Sequence, residues 1–433
     1  MTNSGTIGLV LGSPLAGRGS LIVSGFAIHA SLGALFAWST FFEPLKTTYG
    51  WSEAMLLSPY RYALLGFTIG LFVASHYSRR LSPRALARSG SLLLVSGCLF
   101  AAWVGPSASA LTVGIGVLGG LGAGFAYIAP ISTYKHWLPT GSGVVLGMTV
   151  LCFATGSLLA APLLERILDS QRANPEAGLP SAFLAMALIF LVGVAAMGEM
   201  LPGTRAWLGP RIFDTLRGDA LPPHIARQRA WDRSVMPLLR IWLQWSVFFV
   251  GAFAGGAALT GYLPQAAGIS SRDAWLLMGI GVVAMAVTNY FGRAIWARIA
   301  HRFGRVSSLL LMLLLSTVLA LYVNGGRADW SPVLAMLALL GFGTGGFLGV
   351  MPQLAAEMVD GKESLPLRFG VMYSAFGLCA CAAPYWSLPK NAGTWTSNVF
   401  LLSVSAALLL GFLYLLIRPV RTGSCVSQAL SRW

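Results

Sequence analysis

Long apolar runs separated by short polar connections dominate the chain, and their lengths point to helices that cross a bilayer. A helix rising 1.5 Å per residue needs about 20 apolar residues to span hydrocarbon about 30 Å thick. Twelve stretches qualify: 20–43, 54–75, 86–104, 110–134, 141–163, 182–201, 238–262, 274–296, 306–324, 332–352, 367–388 and 397–417. Between the sixth and seventh lies the one long polar segment, 202–237, carrying Arg205, Arg211, Arg217, Arg227, Arg229 and Arg233. The pattern predicts an all-α membrane protein of twelve transmembrane helices in two six-helix, pseudo-symmetric halves. Its divisions are an N-terminal tail (1–19), a first half (20–201), a basic linker (202–237), a second half (238–417) and a C-terminal tail (418–433).

Composition agrees. With 56% hydrophobic and 10% charged residues among 433, the chain has too little polar surface for a soluble body of this size. The net charge of +15 would suggest nucleic acid, but no basic helix or aromatic-interleaved basic patch lies outside the apolar runs. It is explained by topology instead. With a cytoplasmic N-terminus, 21 of the 29 Lys and Arg residues fall on the cytoplasmic side and six outside, while Arg61 and Arg293 lie within helices. Both termini are therefore expected in the cytoplasm. The tail 1–19 is Gly/Ser-rich with one arginine, and the run after it is too long for a cleaved signal, so it reads as a retained first helix. Cys98, Cys152, Cys379, Cys381 and Cys425 lack metal-site spacing and fall mostly in apolar runs, so neither disulfides, a metal nor a cofactor is expected.

An internal repeat supports two halves. Pro130 and Pro352 each follow a Gly-rich helix, Pro162 and Pro384 each follow a small-residue helix, and Arg80 and Arg302 each occupy a basic loop; the three pairs share one and the same interval. Parallel six-helix repeats about an axis along the membrane normal place a site between them near the midplane. The glycines of the fourth and tenth runs let backbones approach closely, and read equally as plain helix packing.

The segments LFAWSTFFEPLKTTYGWS (35–52), GLGAGFAYIAP with YKHWLPTGSGVVLG (120–147), NYFGRAIW (289–296) and FGVMYSAFG (369–377) resemble the oxalate/formate antiporter and monocarboxylate transporter branch of the major facilitator superfamily. The resemblance runs over nearly the whole chain. It implies the major facilitator fold, an alternating-access carrier of small carboxylates working as a monomer, and a bacterial inner membrane. It also implies that Arg293, in the helix-eight N/D-x-x-x-R pattern, binds the substrate carboxylate and that Tyr127 matches the helix-four tyrosine. Two departures stand out. Phe376 replaces the helix-eleven lysine of oxalate exchangers, and Asn289 replaces the aspartate of proton-coupled carriers. In the basic loops, Arg79 and His301 occupy places where the superfamily normally has an acidic residue.

Residue chemistry gives the same centre independently. Arg293 is a cation inside a hydrocarbon-spanning run, and such residues mark substrate or ion pathways unless they snorkel to the headgroups. Its planar fork of donors suits two carboxylate oxygens. Asn289, one turn earlier, would orient the guanidinium or donate to the substrate, or else bond a neighbouring helix. Arg61 lies eight residues past Glu53, roughly 12 Å along its helix. It reads either as a second cation for the site or as a side chain snorkelling outward or paired with Glu43 or Glu53. His29, the only histidine inside an apolar run, reads as a protonatable switch or as a neutral interhelical hydrogen-bonder. Trp38, Phe36, Tyr127, Phe347 and Tyr373 are candidates to line the cavity, with packing the plain alternative.

These readings converge on a secondary carrier of small organic anions, monocarboxylates or short dicarboxylates, working by exchange or facilitated transport. No Asp or Glu lies at the centre of a run, which argues against proton symport unless His29 carries the proton. The other readings are an exporter of drugs or amphipathic compounds, disfavoured because a buried cation needs an anionic partner, and an enzyme, for which no HExxH, GxSxG or P-loop pattern exists.

Overall fold

The computed structural model describes residues 14–138, 142–171, 175–204, 242–249, 271–324, 330–357 and 365–386. The linker from residue 205, the twelfth run, the C-terminal tail and most of the N-terminal tail lie outside the described residues. Helices follow the apolar runs: α1 Pro14–Gly33, α2 Glu53–Tyr77, α3 Pro83–Val104, α4 Gly120–Trp137, α5 Ser142–Ser170 and α6 Pro175–Phe190. The second half contributes α7, described over 242–249, α8 Ser271–Phe303, α9 Arg305–Asn324, α10 Trp330–Glu357 and α11 Leu365–Trp386. Two helices extend through wide, π-type turns: Thr112–Gly119 leads into α4, and Leu191–Ala196 continues α6. No strand occurs among the described residues.

Local chemistry sets the ends. Ser52 and Ser82 cap α2 and α3, each side-chain oxygen accepting the N–H three residues on (Met55, 3.4 Å; Ala85, 3.2 Å), as favoured capping residues do. Pro83 takes the first helical position, where its missing N–H costs nothing. Hydroxyls inside the spans turn back onto their own helices: Thr68 donates to the Leu64 carbonyl and Ser75 to that of Leu71. In lipid this satisfies groups that water would otherwise solvate. The outer surface is apolar. Trp103 is 84% exposed and Leu92 72%, a liability in water and the expected face toward acyl chains. Six helices of the described residues are long and apolar enough to cross a membrane.

The first apolar run is not one helix. After Gly33 the chain tightens into short 3₁₀ turns, Ala34–Phe36 and Trp38–Phe41, before a short helix Phe42–Tyr49 that ends at Gly50 with φ 67°. It lies beside a close helix contact. At Gly33 and Gly156 the backbones of α1 and α5 touch directly, so neither position has room for a Cβ. Pro130, Pro162, Pro352 and Pro384, expected to follow their helices, lie inside α4, α5, α10 and α11. A membrane helix tolerates such a proline because neighbouring helices and Ser/Thr side chains re-satisfy the freed backbone groups.

Glycine rows fix how each half packs. On the approach to and within α4, Gly116, Gly120 and Gly124 lie against the backbone of α2 at Pro59, Ala63 and Phe67. On α10, Gly341, Gly345 and Gly349 lie against α8 at Met285, Asn289 and Arg293. The interval from Gly116 to Gly341, or from Gly120 to Gly345, is slightly longer than that from Pro130 to Pro352. Packing symmetry therefore differs from proline symmetry by nearly one helical turn.

The halves meet along α2 with α11 and α5 with α8 and α10. Gly377 rests on Thr68, Gly370 on Ser75, and Gly147 faces the Gln353 amide. At one end of the first half, Arg88 grips Glu199 with two hydrogen bonds of 2.6 and 2.8 Å, and Arg84 donates to the Leu201 carbonyl at 3.1 Å. These groups are substantially exposed, so the pair orients the helix ends more than it stabilises the fold.

Candidate functional site

Arg293 lies in the seam between the halves. Its Nε donates to Asn289 Oδ1 one turn earlier at 3.1 Å, and its Nη1 donates to the Val150 carbonyl of α5, across the seam, at 2.8 Å. The asparagine thus holds the plane of the guanidinium, as its spacing predicts. Among the described residues no carboxylate lies within ion-pair distance of Arg293, and Nη2 has no partner there. Position is imposed from behind: Gly345 and Gly349 of α10 press on the backbones of Asn289 and Arg293 with no space for a side chain.

Beside the guanidinium is a cluster of aromatic rings centred on Tyr127. Its ring meets His29 of α1 at 4.3 Å, Phe67 of α2 at 5.3 Å, Phe153 of α5 at 5.7 Å, and Phe369 and Tyr373 of α11 at 5.9 Å each. Tyr373 stacks on Phe369 at 4.3 Å, and its hydroxyl donates to the Leu348 carbonyl of α10 at 3.3 Å. The Tyr127 and Tyr373 side chains face each other, and both lie in the electrostatic field of Arg293. Helices from both halves therefore converge on one cation: a planar fork, two phenol hydroxyls and apolar walls. Such a centre suits a small anion with an apolar body.

Other candidates lie elsewhere. Trp38 is buried, donates from Nε1 to the Leu56 carbonyl at 2.8 Å, and stacks on Phe41, which stacks on Phe183. Those contacts pack the first half and do not reach the cluster. Phe347 is buried on α10. Phe376 lies on α11, and the side chains of Phe376 and Phe36 fall outside those described. Arg61 is half-buried on α2 and is not among the residues touching Arg293. It shares a helix face with Thr68 and Ser75, at steps of seven residues, and those two meet α11. That places Arg61 on the face turned to the seam, near the opposite end from Ser75. Phe67, Phe153, Phe369 and the Val150 carbonyl were not singled out by sequence. An aromatic among apolar residues carries no tag until its neighbours are known, and a backbone carbonyl carries none at all.

The arrangement of helices decides the class. Over 92% of this chain and 95% of its counterpart it superposes on the proton:xylose symporter XylE of Escherichia coli with a TM-score of 0.66 at 16% identity. It also matches the E. coli fucose:proton symporter FucP, with a TM-score of 0.61 at 14% identity over 90% and 98% of the two chains. The chain has the major facilitator fold.

Sequence relatives agree at that level. The uncharacterised MFS-type transporter YhjX of E. coli strain K12 is 22% identical over 351 residues, 80% of this chain and 82% of the relative. Apicoplast pyruvate carrier 1 of Toxoplasma gondii is 24% identical over 360 residues, 72% of this chain and 65% of the relative. No family model matches the chain. A multi-pass membrane transporter of major facilitator type is what these likenesses support in common, and none of these relatives and neighbours is an enzyme.

Proposed function

We propose that the protein is an alternating-access carrier of small organic anions, monocarboxylates or short dicarboxylates. One observation carries this reading: a guanidinium in the seam between the halves that touches an amide and a backbone carbonyl but, among the described residues, no carboxylate. A cation taken out of water without a counter-anion is costly, and a substrate carboxylate would supply the missing partner. The pyruvate carrier among the relatives is consistent with this chemistry. A sugar, as carried by the two symporters that share the fold, would leave the charge uncompensated. An amphipathic cation would meet a like charge.

Exchange or facilitated transport fits better than proton symport, because no Asp or Glu stands at the centre of a span and position 289 holds an amide. From its likeness to major facilitator transporters we infer a monomer in a bacterial inner membrane, and the distribution of its cations supports cytoplasmic termini. The test is uptake of radiolabelled carboxylates by purified protein in liposomes, with proton flux followed alongside. Arg293→Lys keeps the charge but loses the fork, and transport is expected to fall by at least about tenfold. Normal transport in that variant would exclude bidentate recognition, and a panel of carboxylates that are neither carried nor inhibitory would exclude the class. Stoichiometric proton uptake would move the mechanism to symport.

A further inference from the structure

One buried polar group near the centre has no hydrogen-bond partner among the described residues. His29 is fully buried on α1, and its Nδ1 lies 2.8 Å from the Gly25 carbonyl, while Nε2 is buried with no hydrogen-bond partner among the described residues. A carbonyl oxygen only accepts, so Nδ1 carries the proton of that bond. No acidic group is among the described contacts of the ring, so the imidazole is neutral and Nε2 presents a lone pair. A neutral imidazole in this tautomer is a hydrogen-bond acceptor seeking a donor.

Its direction is fixed by its neighbours. Gly25, His29 and Gly33 recur every four residues and so share one face of α1. Gly25 is pressed against Tyr134 and Pro130 of α4, and Gly33 against Phe153 and Gly156 of α5. Between these two contacts, the His29 ring is directed into the angle of α4 and α5, edge to face with Tyr127 at 4.3 Å. Tyr127 in turn lies against Tyr373 and in the field of Arg293. The orphan acceptor and the cation thus flank the same tyrosine from opposite halves of the molecule.

We propose that His29 is a specificity-determining residue whose Nε2 accepts a hydrogen bond from a hydroxyl of the bound anion, so that the carrier prefers hydroxycarboxylates to the oxo or unsubstituted acids of the same skeleton. This rests on the carboxylate reading above. A hydroxyl brings the donor that Nε2 lacks. An oxo group brings only lone pairs, which face the lone pair of Nε2, and a methylene leaves the nitrogen unsatisfied. Sites that hydrogen-bond a substrate hydroxyl reject analogues without it because the buried protein group is then left unpaired.

The experiment uses matched sets in liposomes containing the purified full chain: 2-hydroxypropanoate, 2-oxopropanoate and propanoate, and 2-hydroxybutanedioate, 2-oxobutanedioate and butanedioate. Wild-type protein is expected to favour the hydroxy member of the set it carries by about 10- to 100-fold in kcat/KM. In His29→Phe that preference should collapse to within about threefold, with the thermal unfolding of the purified variant as the check on folding. His29→Gln brings an amide oxygen to the place of Nε2 and should keep part of the preference, which covers the case in which the phenylalanine variant does not fold. Equal use of all three members by wild type, or a hydroxy preference that survives in His29→Phe, would overturn the proposal. Such an outcome with Arg293→Lys still impaired would leave the carboxylate reading standing. If no member of either set were carried or inhibitory, both readings would fall together.

Discussion

At the scale of single residues, Arg293 and Tyr127 divide the site between charge and shape. The arginine is held at two of its nitrogens, whereas the tyrosine touches five rings and serves as the hub on which three helices of the first half meet α11. Its hydroxyl has the smaller role. Tyr127→Phe retains every ring contact and loses only the hydroxyl on the side of Tyr373. A neutral hydrogen bond made by such a hydroxyl contributes about 1 kcal/mol. The expected result is a KM raised by up to about tenfold, with kcat within about twofold of wild type and thermal unfolding little changed. A loss beyond a hundredfold would instead put that hydroxyl directly on the substrate. Arg293 was legible from sequence alone because a cation in an apolar run is rare enough to stand out. Three of the tyrosine's five ring partners were not, since Phe67, Phe153 and Phe369 look like any other aromatic in lipid until α2, α5 and α11 are known to be neighbours.

Elements explain why so small a site is held so firmly. The row Gly341, Gly345 and Gly349 brings α10 into backbone contact with α8, and two of its three contacts are the residues of the proposed anion site, Asn289 and Arg293. A methyl group at 349 would push against the Arg293 backbone. Gly349→Ala is therefore expected to destabilise the protein by about 1–3 kcal/mol, as overpacking does, and to reduce transport more than a change of that size remote from the centre. Thermal unfolding of the purified variant and its transport rate, each compared with Ala added at an exposed glycine such as Gly19, provide the measurement. Unchanged transport with lowered stability would show that α8 can shift without moving the guanidinium. Sequence suggested close helix approach at these glycines but not their register. The interval between repeated prolines gives a different alignment from the packed glycine rows, in which Gly124 rests on the Phe67 backbone where Gly349 rests on that of Arg293. That equivalence accounts for a single-sided site: one half contributes a cation where the other contributes a ring.

Across the whole molecule, long apolar runs made the all-helical membrane architecture readable from sequence, because the bilayer leaves a chain so few options. The break after Gly33 escaped that reading, since an apolar run looks the same whether it continues as one helix or tightens into 3₁₀ turns. The Arg293 bond to the Val150 carbonyl joins the halves. On the proposed reading, the charge of Arg293 also sets how the carrier responds to membrane voltage. An empty site holds one net positive charge, and a bound monoanion cancels it, so loaded and unloaded carriers feel the transmembrane field differently, by up to about 2.3 kcal/mol per 100 mV if the full field were crossed. One-for-one exchange of monoanions uses only the neutral form and should run within about twofold of the same rate at zero and at inside-negative potential. Net uptake into empty vesicles requires the positively charged form to return outward, and an inside-negative potential imposed by a potassium gradient should slow it severalfold. Equal sensitivity of the two modes would mean that a second charge accompanies the arginine.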